Sequence, residues 1–509
     1  MPLFNGVLCA FHACSDYEKI MPGISGFALY LPPYRVQLSD WCEWNDQPWD
    51  KVKNVVGRSF RMRGPEQSVY TLAANAAWRL IQAYGIDPGE VGYLALGTES
   101  SSDNSAGAVI VKGMLNDALA ANAMPLLARE CEVPEYKHAC LGGVYGLKGA
   151  LRYLASDGAG RKAIVVCADI AEYERGSSGE PTQGAGAVAM LLETEPRLLH
   201  VDLTRAGSAS DYRMVDFRKP FARFRGQPTR ADGQMQDLPV FNGRYSTSCY
   251  VEATRQAMNA MLARHDGRHP DYFHAVDAVF MHRPYHKMPA AGWAMAYLFA
   301  LADGDEAARD ELRGYCADAQ LDGEAVIAEL AGNAPDMRAR VDAGASGDDA
   351  FPLASNLLRY LRKTPLWDQL VTGKLSLGSD MMRDLGNLYT AALPAWLAAG
   401  LTQAHADGQG VTGQHWLALG YGSGDAAEAL PMTVAQGWET AATCINFTAA
   451  LGDPVDLDAG QYAALHDGDT VDMTPVPVVD EFVVDRIGCT DEPDFRDIGI
   501  EYYRYVAAS

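Results

Sequence analysis

Several polar residues stand where apolar runs of this chain end, and together their types suit the making of a carbon–carbon bond. Glu99 follows "YLALGT", Cys140 heads "CLGGVYGLKGALRYL", His282 follows "AVFM", Asn387 lies in "GNLYT" and Ser423 in "GYGSG". In open α/β sheets, ligands bind at such strand ends. A cysteine can carry an acyl group, because a thiolate both attacks and leaves well. A carboxylate buried at a strand end has a raised pKa and becomes a usable base. A His and an Asn can polarise a carbonyl oxygen. Each residue alone has a plainer role: buried cysteine, helix cap, packed histidine, turn serine. Only the combination points to chemistry.

Around Cys140 the apolar residues Leu141, Val144, Leu147, Leu151 and Leu154 recur at helical spacing, which predicts a buried helix starting near the thiol. A helix N-terminus favours the sulfur anion, and its N–H groups suit an oxyanion. Gly142 and Gly143 weaken such a helix, and the expectation is that they leave room for an acyl-thioester. The other nine cysteines (Cys9, Cys14, Cys42, Cys131, Cys167, Cys249, Cys316, Cys444 and Cys489) are scattered without a CxxC. They read as reduced thiols. Cys9, His12 and Cys14 lack a second ligand pair at zinc-like spacing, so no metal is expected.

The elements that must position these groups alternate. "ISGFALYLPPYRVQL" reads as a strand into a turn, "SVYTLAANAAWRLIQAYG" as a helix stopped by Gly85, and "VGYLALGTES" as a buried parallel strand. "KAIVVCADI" and "AGAVAMLLE" add two more strands. Later, "AVDAVFMH", "KMPAAGWAMAYLFAL", "GNLYTAALPAWLAAGLTQA" and "HWLALGYGSGDAAEALPMTV" repeat the strand–helix alternation. Two alternations predict an α/β fold with parallel sheets and a duplicated half. The expected organisation is an N-terminal extension over 1–22, one half over 23–196 with the nucleophile, and one over 197–509 with the His and Asn. A segment at about 300–380 interrupts the second half. Residues 301–350 carry thirteen Asp/Glu against four Arg, which reads as a solvated surface insertion and not a site. A net charge of −23 argues against nucleic-acid binding. The apolar runs fall short of the roughly 20 residues that span a bilayer. With no basic region ahead of the N-terminal apolar patch, a cytoplasmic protein is expected.

"GTESSSDNSA", "HACLGG", "GEPTQGAGAVAM", "HRPYHKM", "GNLYT" and "GYGSG" occur in that order, with "VDFRKP" and "LPVFNGRYSTSCYVEA" between them. Together they resemble the 3-hydroxy-3-methylglutaryl-CoA synthase family of the thiolase superfamily. The resemblance runs over roughly 23–509 and is weak in 222–238 and 300–380. It implies a thiolase-like fold, two similar α/β halves forming a five-layered αβαβα core, in a homodimer without metal or cofactor. It also implies condensation of acetyl-CoA, acetoacetyl-CoA and water to 3-hydroxy-3-methylglutaryl-CoA and free CoA. By this resemblance Cys140 takes the acetyl group and Glu99 removes a proton from its methyl. His282 and Asn387 polarise the ketone oxygen, and the N–H groups of Cys140 and Ser423 hold the thioester oxygen. Lys287 matches a position that meets the CoA arm. Asp103, Asp169, Tyr173, Thr182, Asp216 and Pro220 match supporting positions around the pocket.

Three departures touch pocket shape: Leu141 where an aromatic is frequent, Asn242 where Asp is common, and Arg223, Arg225 and Arg230 in a weakly matching stretch. A second reading keeps the chemistry but loads the β-ketoacyl chain on an acyl carrier protein, with arginines at 218–230 as a basic patch. A decarboxylating ketoacyl synthase III-type enzyme uses no glutamate base, so "GTES" speaks against it. A non-catalytic scaffold leaves Cys140, Glu99 and His282 without a reason to stand together.

Overall fold

Alternating side chains decide the architecture. In the strand Lys162–Ala171, Ala163, Val165 and Cys167 enter one apolar cluster while Ile164, Val166 and Ala168 enter another. Burial on both faces is what a strand covered by helices on each side requires. The computed structural model describes residues 21–508 apart from 220–229, 232, 234–237, 241, 332–335 and 346. The expectations for Cys9, His12, Cys14, Pro220, Arg223 and Arg225 lie outside the described residues.

The strands are β1 (Gly23–Tyr30), β2 (Val91–Gly97), β3 (Glu135–Tyr136), β4 (Lys162–Ala171), β5 (Gly184–Glu193), β6 (Leu199–Val201), β7 (Ala278–Met281), β8 (His415–Gly422) and β9 (Ala426–Val434). With Gly207–Ser210 at the edge of β9 they form a ten-stranded sheet in the order β7-β8-β9-β6-β1-β5-β4-β2-β3. The sheet is mixed, not parallel as its apolar strands suggested. Two runs repeat one pattern: β2 and β4 are parallel, then β5 and β1 follow antiparallel; β7 and β8 are parallel, then β9 and β6 follow antiparallel. Only residues 423–425 separate β8 from β9, too few for a parallel crossover. The runs join where Gly23 and Ile24 of β1 pair with His200 and Leu199 of β6.

The main helices are α1 (Val69–Tyr84), α2 (Gly107–Ala121), α3 (Gly142–Leu154), α4 (Gly243–Leu262), α5 (Met288–Ala302), α6 (Glu306–Asp318), α7 (Gly323–Ala331), α8 (Pro352–Leu361) and α9 (Ala392–Ala406). Ser68 and Thr71 form a capping box at the head of α1, and Gly85 closes it with φ +56° as expected. Pro394 is tolerated because it falls in the first turn of α9. α1 and α2 cover the outer face of the first run. α3 lies between the runs, with Gly146 against Val165 of β4 and Leu141 and Val144 against Gly420 of β8. α9 packs Gly400 on Phe280 of β7, while the next residue, Met281, faces Gly292 of α5. The outcome is a five-layered αβαβα core.

The acidic segment departs from expectation. α6, α7 and α8 bury Leu312, Cys316, Val326, Ile327, Leu330 and Leu357 continuously with the main core. Its acids stand outside, with Glu306, Asp310 and Glu324 all on Arg313. It is a packed helical elaboration. The tail strand Glu501–Val506 pairs with Glu481–Ile487 in a separate two-stranded ribbon. Among the described residues no helix is long and apolar enough to cross a membrane, and every described cysteine is a free thiol.

Candidate active site

Cys140 sits two residues ahead of α3, whose N-cap is Leu141. The Cys140 thiol donates to Oε2 of Glu99 at 3.6 Å, and both residues are buried. Glu99 follows β2, so a strand end and a helix start bring base and nucleophile together. They meet this closely because Gly97 and Gly143 touch: a Cβ on Gly97 would stand 2.5 Å from both Cα and N of Gly143. A Cβ on Gly143 would stand 2.3 Å from Sγ of Cys167, and one on Gly142 would stand 2.5 Å from the Tyr136 carbonyl oxygen. The two glycines therefore serve the packing of α3 on the sheet.

The sulfur is also not an anion at rest. Burial pushes the Cys140 thiol well up, and the carboxylates of Glu99, Asp169 and Asp216 push it further. These outweigh a helix end two residues away. At rest the sulfur is a thiol hydrogen-bonded to Glu99.

Asp169, at the end of β4, fixes this pair. Its Oδ1 accepts from Thr98 Oγ1, Glu99 N–H, Ser100 N–H and Ser100 Oγ at 2.7–3.0 Å. Its Oδ2 accepts from Thr390 N–H at 3.0 Å and Thr390 Oγ1 at 2.5 Å. Thr390 Oγ1 also lies 3.0 Å from the Gly97 carbonyl. One fully buried carboxylate thus ties the Glu99 turn to the loop that carries Asn387.

Asn387 is buried, its N–H donating to the Thr182 carbonyl at 3.1 Å, and its Oδ1 accepting from Tyr389 N–H at 2.9 Å. Thr182 acts here through its backbone. Tyr173 adjoins Asn387 and Tyr389, and burial raises its phenol pKa. Tyr173, Tyr389, Ala171 and Phe217 form an apolar wall on Cys140. Tyr389 and Ala139 both hold positive φ, +45° and +41°, beside Asn387 and Cys140. Left-handed backbone in non-glycine residues is uncommon and gathers at functional sites.

His282 directly follows β7, its carbonyl accepting from Tyr250 OH at 3.2 Å. Burial pushes the imidazole down to about 3, so it is neutral near pH 7. Its Nδ1 is buried without a partner among the described residues. Its ring stacks on Tyr421 at 6.3 Å, and Tyr421 OH donates to Asp216 at 2.6 Å. Ser423, half-buried in the turn after β8, is next to Gly422, where a Cβ would stand 2.6 Å from the His138 carbonyl oxygen. The turn therefore abuts the loop of Cys140.

Other expected residues lie apart. Asp103 is exposed and accepts from Tyr70 OH and the N–H of Ser105, at the head of α2. Lys287 is exposed at the N-cap of α5. Arg230 is buried against Glu172 and the carbonyls of Leu465 and His466, so it is not part of a basic surface patch. Asn242 holds the Val215 carbonyl through its amide at 2.6 Å.

Three participants escaped the sequence. Thr390 and Tyr421 lay inside recognised motifs but carried no signal of their own. Asp425 had none: it is buried and faces Asp216, and its burial, then the charge of Asp216, push its carboxyl up to about 9. Cys249 completes a group whose ligand atoms lie within 4.8 Å of one another. Arg213 approaches Asp425 at 3.4 Å while pairing Glu252 at 2.6 Å.

Residues 20–196 match the family model described as hydroxymethylglutaryl-coenzyme A synthase N terminal. The chain is 31% identical to hydroxymethylglutaryl-CoA synthase of Enterococcus faecalis over 291 residues, 57% of this chain and 67% of that protein. It is 27% identical to the Haloferax volcanii hydroxymethylglutaryl-CoA synthase over 403 residues, 79% and 80% of the two chains. The fold superposes on MvaS in complex with 3-hydroxy-3-methylglutaryl coenzyme A with TM-score 0.72 and 25% identity, covering 96% of this chain and 99% of that one. The curacin biosynthetic pathway HMG synthase in complex with apo donor-ACP shares the fold at TM-score 0.67 and 18% identity, covering 95% and 100%.

Proposed function

The chain belongs to the hydroxymethylglutaryl-CoA synthase family, and we propose that Cys140, Glu99 and His282 perform that family's reaction in it. Acetyl-CoA and acetoacetyl-CoA are condensed with water to 3-hydroxy-3-methylglutaryl-CoA and CoA. The 3.6 Å contact between the Cys140 thiol and Glu99 carries this reading.

In the first step Glu99 takes the thiol proton as sulfur attacks the acetyl carbonyl. The departing CoA thiolate takes that proton, leaving acetyl-Cys140 and a carboxylate again. Glu99 then removes a methyl proton, and the carbon attacks the ketone of acetoacetyl-CoA. The alkoxide that forms is protonated from Glu99. Water, deprotonated by Glu99, finally cleaves the thioester, and the proton returns to sulfur. A methyl beside a thioester is a weak acid, so base and oxyanion donors must be aimed together. A neutral His282 suits a hydrogen-bond donor to the ketone oxygen, with Asn387 as the second donor.

Mass spectrometry after exposure to acetyl-CoA tests this reading. An acetyl group on Cys140, discharged by acetoacetyl-CoA with 3-hydroxy-3-methylglutaryl-CoA appearing, is expected. Acetylation elsewhere, or product formed by Cys140→Ala, would sink it. The carrier-protein reading loses one of its supports, because Arg230 is buried and ion-paired.

A further inference from the structure

We propose that Arg244, Arg359 and Arg362 hold the phosphate-bearing end of the CoA thioester, so that the inserted helices supply part of the substrate site. This rests on the chain's acting on CoA thioesters.

A cavity of about 600 Å³ opens between α4, α5 and α8. Val251, Ala291, Met295, Phe351 and Leu358 give it an apolar lining, and the three arginines join them. All three are exposed, and none has an ion pair among the described residues. Arg359 donates to the Asn356 amide oxygen, and Arg362 lies over the Trp367 ring at 5.5 Å. Among the described residues Asp349 is the one acid lining the cavity, and it accepts from Phe351 N–H at 2.9 Å. Elsewhere on the insertion Arg313 meets three acids and Arg338 meets Asp342, while Arg309 and Arg340 spend their guanidinium groups on backbone carbonyls. Three uncompensated guanidinium groups on a chain of net charge −23 mark this cavity for an anion. Guanidinium forks match phosphate oxygens, and an apolar floor suits a base or a pantetheine chain.

The cavity backs onto the reacting groups. Thr247, Ser248 and Val251 of α4 line it, while Tyr250 of the same helix reaches the His282 carbonyl at 3.2 Å. Thr247 also lies beside Tyr285, three residues after His282. Lys287 stands one turn before Ala291 on α5, which places a fourth cation between the His282 loop and the arginines.

The test compares acetoacetyl-CoA with acetoacetyl-pantetheine, which lacks phosphate, in the full-length enzyme and in R244Q/R359Q/R362Q. For acetoacetyl-CoA the variant is expected to raise KM about tenfold or more with kcat unchanged, since uniform binding is what is removed. For acetoacetyl-pantetheine KM should not move. Wild-type KM for acetoacetyl-CoA should also rise with added salt, as screening demands. An unchanged KM for acetoacetyl-CoA, or an equal rise for both substrates, overturns the proposal. Should the triple variant fold poorly, Arg359→Glu alone gives the same reading with the same two substrates. Failure of the wild type to condense either substrate would instead overturn the function itself.

Discussion

Placing a methyl on Gly143 tests how the nucleophile is held. The added Cβ would stand 2.3 Å from Sγ of Cys167, 3.2 Å from the Thr390 carbonyl oxygen and 3.3 Å from Cβ of Cys167. Non-bonded heavy atoms rest at about 3.5–4.0 Å, so only the sulfur contact is severe. Overpacking of this kind costs about 1–3 kcal/mol, and replacing a helical Gly by Ala returns up to about 1 kcal/mol. Gly143→Ala alone should therefore destabilise by about 1–2 kcal/mol. In a Cys167→Ala background the sulfur is gone, and the same methyl should cost close to nothing. A double-mutant cycle by urea denaturation should then give a coupling of about 1–2 kcal/mol, favouring the double variant. Acetylation of Cys140 is expected to slow in Gly143→Ala and to recover in the double variant, because the displaced helix start carries Cys140 with it. Additivity within about 0.5 kcal/mol would refute the packing account. So would acetylation that stays slow after stability is restored, which is the outcome if these glycines instead spare the acyl group.

Glu99→Gln should cut condensation by about 10²–10⁴. Acetyl-Cys140 should still accumulate, since a thiol is a stronger acid than a thioester methyl; stopped-flow product release and mass spectrometry distinguish the steps. Asp169→Asn replaces an oxygen facing several donors by a donor, so a stability loss of about 3 kcal/mol is expected by urea denaturation, together with impaired acetylation. Asp425 is protonated in the fold up to about pH 9 but ionises near pH 4 when unfolded, so its contribution is full below pH 4 and is lost as pH rises through 9. Asp425→Asn should remove that loss: its stability relative to wild type is expected to increase from pH 5 to pH 9, and parallel trends in urea midpoints would contradict the raised Asp425 carboxyl.

Residue patterns pointed to many members of this candidate site. The stripe Leu141 to Leu154 became the buried face of α3, and polar residues at apolar run ends located Glu99, His282 and Asn387. What was illegible depended on distant pairing. Whether a strand such as β4 lies parallel or antiparallel to its neighbours is set by connections and not by its own apolar run. In the acidic segment the count of thirteen acids drew the reading towards a solvated surface, although Ala354, Leu357, Leu358 and Leu361 of α8 keep helical spacing and are buried. The state of the Cys140 thiol was misjudged because nearby sequence shows a helix start, whereas the burial that raises it, and then Glu99, Asp169 and Asp216, come from other parts of the chain.

A sulfur that rests protonated in a pocket walled by Tyr173, Phe217 and Tyr389 is a poor target for peroxide or for simple alkylating agents, which consume free thiolate. Durability towards oxidants and readiness to attack a thioester therefore need not conflict in this enzyme. The activating proton transfer is made within the pocket, and only a compound that enters it and presents an electrophilic carbon beside Glu99 meets the sulfur at its most reactive.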